Sequence, residues 1–273
     1  MSLSVVTVIH DSAPDLGRLL ASIDAYLHPR PQLIVVDTGS ADDGAAVARA
    51  HGAEVVDLPA NPGFGAANNA GVARAQHDVV ALLNPDVELL DTGLLSLAAA
   101  ARAADALHAP RLLNADGSVQ DSAHPRPGSP RDLARAISPG PVRRAIGERS
   151  VAWAIAAVLV ARRATLQRLG PFDPAAFLFY EDLDLGLRAG AAGVPTVLHR
   201  DVRLRHAGAH STGPAYGGEP LDLLVARRRA VIEARLGRAA RRRDAAIQVL
   251  EHGVRALRPR DRAHVRAILA ARG

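Results

Sequence analysis

Apolar residues gather in short runs at 4–9, 33–36, 54–58 and 79–83, each too short for a helix and each followed by a polar, turn-forming segment. Between them the period changes. Leu16, Leu19, Leu20, Ile23 and Leu27 follow Pro14 at helical spacing, and residues 45–51 are rich in Ala. Strand, helix, strand in this rhythm predicts an α/β domain whose mostly parallel sheet is flanked by helices. Such sheets bind ligands beyond the carboxyl ends of their strands. The residues predicted there are His10-Asp11-Ser12, Asp37-Thr38-Gly39-Ser40 and Asn84-Pro85-Asp86.

The pattern then breaks. Residues 116–150, rich in Pro, Gly, Ser and Arg, read as a long loop over the sheet, and 151–161 as one further strand. Four aromatics, Phe172, Phe177, Phe179 and Tyr180, lead into Glu181, Asp182 and Asp184 at the start of a helix expected over 182–192. Beyond His206, Arg-rich helices are expected at about 220–236, 239–252 and 260–271, broken at Gly237, Gly253 and Pro259. The expected division is a catalytic domain over 1–212 and a basic helical extension over 213–273.

Charge sharpens that division. Residues 213–273 hold 14 Arg and 6 Asp or Glu, a balance of +8, which leaves −3 for residues 1–212. Such an extension suits an anionic membrane surface, or simply a solvated helix face. With eight aromatics in the chain and none in the basic stretches, nucleic acid is not an expected partner. No apolar run approaches the roughly 20 residues of a membrane span, and the N-terminus reads as a core strand rather than a signal peptide. The expected location is cytoplasmic, peripheral on the inner face of the plasma membrane. There is no cysteine, so carboxylates and His are left as metal ligands.

Asp86, at the end of an apolar strand and behind Pro85, suits a hard divalent cation shared with phosphates, though Asn-Pro-Asp alone is also an ordinary turn. Glu181 and Asp182 suit acid–base work, or merely an acidic helix start. His206 could complete a metal shell, and His210 rivals it on composition alone. The Gly63–Gly71 stretch lacks the G-x-G-x-x-G spacing of a dinucleotide loop, and no Walker A, G-x-S-x-G or H-E-x-x-H motif is present.

Taken in order, Val35-Val36-Asp37-Thr38-Gly39-Ser40, Asn61-Pro62-Gly63-Phe64-Gly65 with Asn69, Leu83-Asn84-Pro85-Asp86, Gly170-Pro171-Phe172-Asp173 and Phe179-Tyr180-Glu181-Asp182-Leu183-Asp184 resemble family 2 glycosyltransferases of the GT-A fold. The resemblance covers about residues 4–212. Within the family, Asn-Pro-Asp, the Asp116-Gly117-Ser118-Val119 turn and the segment beginning His206-Ala207-Gly208 look most like actinobacterial rhamnosyltransferases acting on polyprenyl-diphospho-N-acetylglucosamine.

The resemblance implies an inverting transferase that uses Mg2+ or Mn2+ and a nucleotide-sugar donor, dTDP-rhamnose first and a UDP- or GDP-sugar as the alternative. The acceptor would be a polyprenyl-diphosphate-linked or other glycan hydroxyl in cell-envelope polysaccharide synthesis. A non-catalytic nucleotide-sugar-binding paralogue and a homodimer stay open. By the same resemblance, Asp37, Asn69, Asn84, His10 and Asp11 bind the donor, and Asp86 and His206 hold the metal. Asp182 is then the general base, and Glu181 orients the acceptor or the base. Two positions depart from the family pattern: Thr38 stands in place of Asn, and residues 154–158 lack the usual Gly and Ser.

Overall fold

The computed structural model describes residues 3–149, 151–174, 176–208, 220–255 and 259–271. The first half alternates as expected: β1 (Leu3–Ile9), α1 (Ala13–Tyr26), β2 (Gln32–Asp37), α2 (Gly44–Ala50), β3 (Glu54–Asp57), α3 (Phe64–Arg74) and β4 (Val79–Leu83). Then come β5 (Val87–Leu89), α4 (Gly93–Ala103), β6 (Leu107–Leu113), β7 (Ala123–His124), α5 (Pro130–Ile137), α6 (Gly140–Arg149), β8 (Trp153–Ala154) and β9 (Val158–Arg162). The chain continues through α7 (Arg163–Leu169), α8 (Glu181–Ala191), β10 (Thr196–His206), α9 (Leu221–Gly253) and α10 (Pro259–Ala270).

Eight strands form one sheet in the order β3-β2-β1-β4-β9-β6-β10-β5. Pairing is parallel from β3 to β4 and between β6 and β10, and antiparallel where β9 meets β4 and β6 and where β5 meets β10. Because β6 and β10 run with β4, their carboxyl ends lie on one sheet edge together with those of β1, β2 and β4. Antiparallel β9 brings its amino end to that same edge.

Alternation along the strands explains why both faces are covered. Val5, Leu33, Val35, Val79, Ala81 and Leu83 pack with Leu16, Leu19 and Ile23 of α1 and Leu94 and Leu97 of α4. Their neighbours Val6, Ile34, Val36, Val80 and Leu82 face Val72 of α3, Leu166 of α7 and Leu185 of α8. With a side-chain period of two, a strand that is apolar at every position has two buried faces. A fully buried Leu contributes roughly 1.5–3 kcal/mol. α1 is capped from outside: Ser12 makes no side-chain cap, and Asp42 Oδ2 accepts the Ala13 N–H at 2.7 Å instead.

Two sequence expectations are corrected. Residues 116–150 are not a loop, because Ser129 accepts the Asp132 N–H at 3.2 Å as an N-cap and Pro130 opens α5, after which α6 follows. Residues 151–161 are not one strand. Trp153–Ala154 pairs with β7 in a separate ribbon, and residues 155–157 turn the chain before β9. The sheet itself is mostly parallel and flanked by helices, as expected, with β9 and β5 its antiparallel strands.

The expected domain boundary at 212–213 falls within 209–219, outside the described residues. Beyond it α9 breaks at Gly237, whose φ of 82° and ψ of 169° interrupt the helix where the sequence placed a stop. Its buried Ile232 and Ala240 pack with Trp153, Leu183 and Leu187, and Arg235 Nε donates to Asp184 Oδ1 at 2.6 Å. The basic helices are thus joined to the catalytic body by core packing and by charge. Among the described residues no helix is long and apolar enough to cross a membrane.

Candidate active site

The turn that follows β4 places Asp86 beyond the sheet. Asn84 N–H donates to Ala157 O at 2.8 Å, and Val87 N–H returns to Asn84 O at 3.2 Å. From the carboxyl end of β10 comes His206, with Nε2 3.4 Å from Asp86 Oδ1. Gly208 N–H donates to Asp86 Oδ2 at 2.9 Å, and Ala207 N–H to Asp86 O at 3.1 Å. Burial pushes the Asp86 carboxyl up, but the hydrogen bond and charge of His206 and the Gly208 N–H outweigh it and hold the group below the usual carboxylate range. Asp86 is therefore ionised at neutral pH.

Nδ1 of His206 lies 2.9 Å from Gln120 Oε1, which orients the ring and turns Nε2 towards the carboxylate. A divalent cation placed here would be held by His206 Nε2 and Asp86 Oδ1. Among the described residues no cluster of three or more His, Asp or Glu could hold a metal. Two protein ligands fit a cation completed by phosphate oxygens and water, as Mg2+ and Mn2+ are commonly bound. Gln120 was missed from the sequence, and its signal was the Asp116-Gly117-Ser118 turn, which folds the chain back after β6 (Asn114 N–H to Ser118 O, 2.8 Å). The rival His210 lies outside the described residues.

Across residues 155–157 stands the second acid group. Asp182 Oδ2 accepts the Ala156 N–H at 3.3 Å, and Oδ1 accepts the Leu183 N–H at 2.7 Å. Since Ala157 O holds Asn84 and Ala156 N holds Asp182, one short strut sets the Asp86 turn and the Asp182 carboxylate relative to each other. Its contacts are made by backbone, so Ala serves at these positions. Burial raises Asp182 to about 6 despite those two donors, and raises Glu181 to about 7, with the neighbouring Asp182 charge adding to the effect. Glu181 is 5% exposed and its Oε1 has no hydrogen-bond partner.

The approach to these acids is strained. Among the described residues the non-glycine residues at positive φ are Asp11 (50°), Phe179 (74°) and Tyr180 (64°), and all lie at this sheet edge. Phe177 O holds the segment by accepting the Phe64 N–H at 3.0 Å. A Cβ on Gly63 (φ 92°) would meet Phe177 O at 2.2 Å, which is why glycine stands there. Asp184, third of the acids, is committed elsewhere: it pairs with Arg188 at 2.7 Å and Arg235 at 2.6 Å.

The polar residues at the carboxyl ends of β1 and β2 are ordered mainly among themselves. Asp37 Oδ1 accepts from Ser40 N at 2.9 Å and Ser40 Oγ at 2.6 Å. Asp11 Oδ1 accepts the Ala41 N–H at 2.6 Å, and His10 Nδ1 lies 3.3 Å from Thr38 Oγ1. Thr38 donates to Ile9 O at 2.9 Å, tying the ends of β1 and β2. Asn69 has both ends of its amide on the Phe172 backbone, at 2.8 and 3.1 Å, and so anchors the Pro171-Phe172-Asp173 segment.

The sheet order and this edge define a GT-A glycosyltransferase fold. The model of Glycosyl transferase family 2 matches residues 4–152, and the chain belongs to that family. It is 32% identical, over 77% of its own length and 78% of the relative's, to the N-acetylglucosaminyl-diphospho-decaprenol L-rhamnosyltransferase of Mycobacterium tuberculosis (strain ATCC 25618 / H37Rv). Among solved structures it is similar to mannosyltransferase PcManGT from Pyrobaculum calidifontis in complex with GDP-Man and Mn2+ (TM-score 0.62, 16% identity, 98% of this chain and 85% of that one). It is also similar to S. aureus TarS 1-349 in complex with UDP-GlcNAc (TM-score 0.61, 15% identity, 93% of this chain and 71% of that one).

Proposed function

We propose that this glycosyltransferase moves L-rhamnose, with inversion, from dTDP-rhamnose to a hydroxyl of a polyprenyl-diphosphate-linked N-acetylglucosamine. The observation that carries the reading is the strut at Ala156 and Ala157, which joins an ionised Asp86 beside His206 to a carboxylate whose affinity for protons is raised. The choice of sugar and acceptor rests on the identity with the mycobacterial rhamnosyltransferase.

Asp86 Oδ1 and His206 Nε2 would hold Mg2+ or Mn2+, which neutralises the departing nucleotide diphosphate. Asp37, His10, Asp11 and Asn84 line the edge where the nucleotide lies, and Asn69 positions the loop beside it. Asp182 takes the proton of the acceptor hydroxyl as that oxygen attacks the anomeric carbon from the face opposite the leaving group. Burial equips it for this: a carboxylate at about 6 is a stronger base than an exposed one and is still mostly ionised at pH 7. Glu181 orients the acceptor. The basic helices face the anionic membrane surface on which such an acceptor resides.

Labelled dTDP-rhamnose, Mn2+ and a membrane lipid extract test the reading directly. Label is expected in the lipid fraction. Its absence there, with label transferred instead from UDP- or GDP-sugars, would replace the donor, and no transfer from any of them would remove the activity.

A further inference from the structure

A cavity of about 350 Å3 lies where α5, α6, the Trp153–Tyr180 ring pair and the C-terminal helices meet. None of the residues assigned above to donor, metal or base lines it. Five Arg (135, 143, 228, 229 and 260) line it against three acids, Asp132, Asp244 and Glu251. Two of those acids are already engaged. Arg228 clasps Asp244 through two bonds, at 2.9 and 2.7 Å, and Arg143 reaches Glu251 at 2.6 Å. The third, Asp132, is raised by burial to about 6.

Unlike Arg135, Arg143 and Arg228, Arg229 pairs with no carboxylate among the described residues, and its Nη1 is buried without a hydrogen-bond partner. Trp153 is 5% exposed, and its indole N–H is likewise without a partner. Arg135, 4% exposed, leaves its Nε–H unmet. Every buried polar atom that lacks a partner on the described residues lining this cavity is therefore a donor. Unmet buried donors cost free energy unless something accepts from them, and guanidinium with indole N–H suits phosphate oxygens.

Position narrows the ligand. Tyr180 lines the cavity and immediately precedes Glu181 and Asp182, and the Trp153 ring stands 6.4 Å from the Tyr180 ring. A group held here adjoins the segment that carries the catalytic acids, and no residue of the Asp86 turn lines the cavity. Resting on the transferase reading above, we propose that this cavity binds the phosphate or diphosphate ester of the acceptor, with Arg229 and the Trp153 indole N–H as its donors. Arg229 and Trp153 thereby position the acceptor sugar towards Asp182.

Trp153 is the single tryptophan of the chain, so its fluorescence reports the cavity. Titration of the full chain with inorganic pyrophosphate in the presence of EDTA, which removes any metal-held binding at Asp86, is expected to give a saturable change. Asp86→Ala should leave that titration unaltered. Arg229→Gln should weaken it about tenfold or more, with the melting temperature kept, and Arg229→Lys should weaken it less. In the transfer assay Arg229→Gln should raise the acceptor KM and leave the donor KM alone, which ties the site to the acceptor rather than to free phosphate.

No saturable signal, or equal affinity in Arg229→Gln, overturns the cavity assignment. Pyrophosphate binding without effect on acceptor KM overturns its link to the acceptor. If pyrophosphate binds as expected and no sugar is transferred, the cavity stands and the transferase reading of substrate falls.

Discussion

Asp86 stands just before β5 and His206 at the end of β10, antiparallel neighbours at the edge of the sheet where Val87 pairs with His206, and the two side chains meet with 3.4 Å between Oδ1 and Nε2. Each is held from behind, Asp86 by the Gly208 N–H and His206 by Gln120, so the pair is preorganised before any ligand arrives.

From that pair follows the first expectation. Calorimetry of nucleotide-sugar binding with and without Mn2+ should show a gain on adding metal, and Asp86→Ala should abolish the gain. Gln120→Ala, which touches no ligand, should weaken metal affinity roughly 10- to 100-fold. Unchanged Mn2+ dependence in Asp86→Ala would remove the metal assignment.

Asp182→Asn should lower kcat by about 10²- to 10⁴-fold while donor affinity stays within twofold (about 0.4 kcal/mol). In the unmodified enzyme, kcat/KM should fall as pH drops through about 6, because protonated Asp182 cannot accept the hydroxyl proton. Near-normal turnover of the Asn variant would show that another group is the base.

Glu181, Asp182 and Asp132 carry carboxyls raised to about 7, 6 and 6. A carboxyl raised on folding binds its proton more tightly in the native state, so its stabilising contribution is complete below the ordinary range and is lost as pH rises through the raised value. The melting temperature should therefore fall between pH 5 and pH 8. Glu181→Gln should recover on the order of 1–3 kcal/mol at pH 8 and little at pH 5. For a domain of this size each kcal/mol is worth about 2–4 °C, within reach of thermal melts. Identical melting of variant and parent at pH 8 would contradict the buried charge.

Gly63→Ala should destabilise by at least about 2 kcal/mol, because it forces a side chain into positive φ and against Phe177 O. The readouts are the melting temperature and the rate of proteolysis near residues 176–180. A melt unchanged from the parent would mean that this segment does not pack on Gly63.

Local pattern alone carried much of this. The short continuous apolar runs of β1, β2 and β4, period 3.6 in α1 and the stop at Gly237 were legible because run length, helix faces and a left-handed glycine are properties of neighbouring residues. The order of motifs raised Asp86, Asp182 and His206 as candidates. What lay beyond the sequence was long-range. β6 and β10 mix polar residues into their runs, and pairing rather than apolar pattern makes them strands. The Pro and Arg of residues 116–150 hid α5 and α6, whose inner faces are stabilised by ion pairs such as Arg135–Asp121 at 2.7 Å. Only tertiary structure could bring Gln120 to His206, set Ala156 and Ala157 between the two acid groups, and close Arg229 and Trp153 into one cavity. A hydrogen bond or an unmet donor is fixed by distances across the fold, whereas the chain's own periodicity records only which face of an element turns inward.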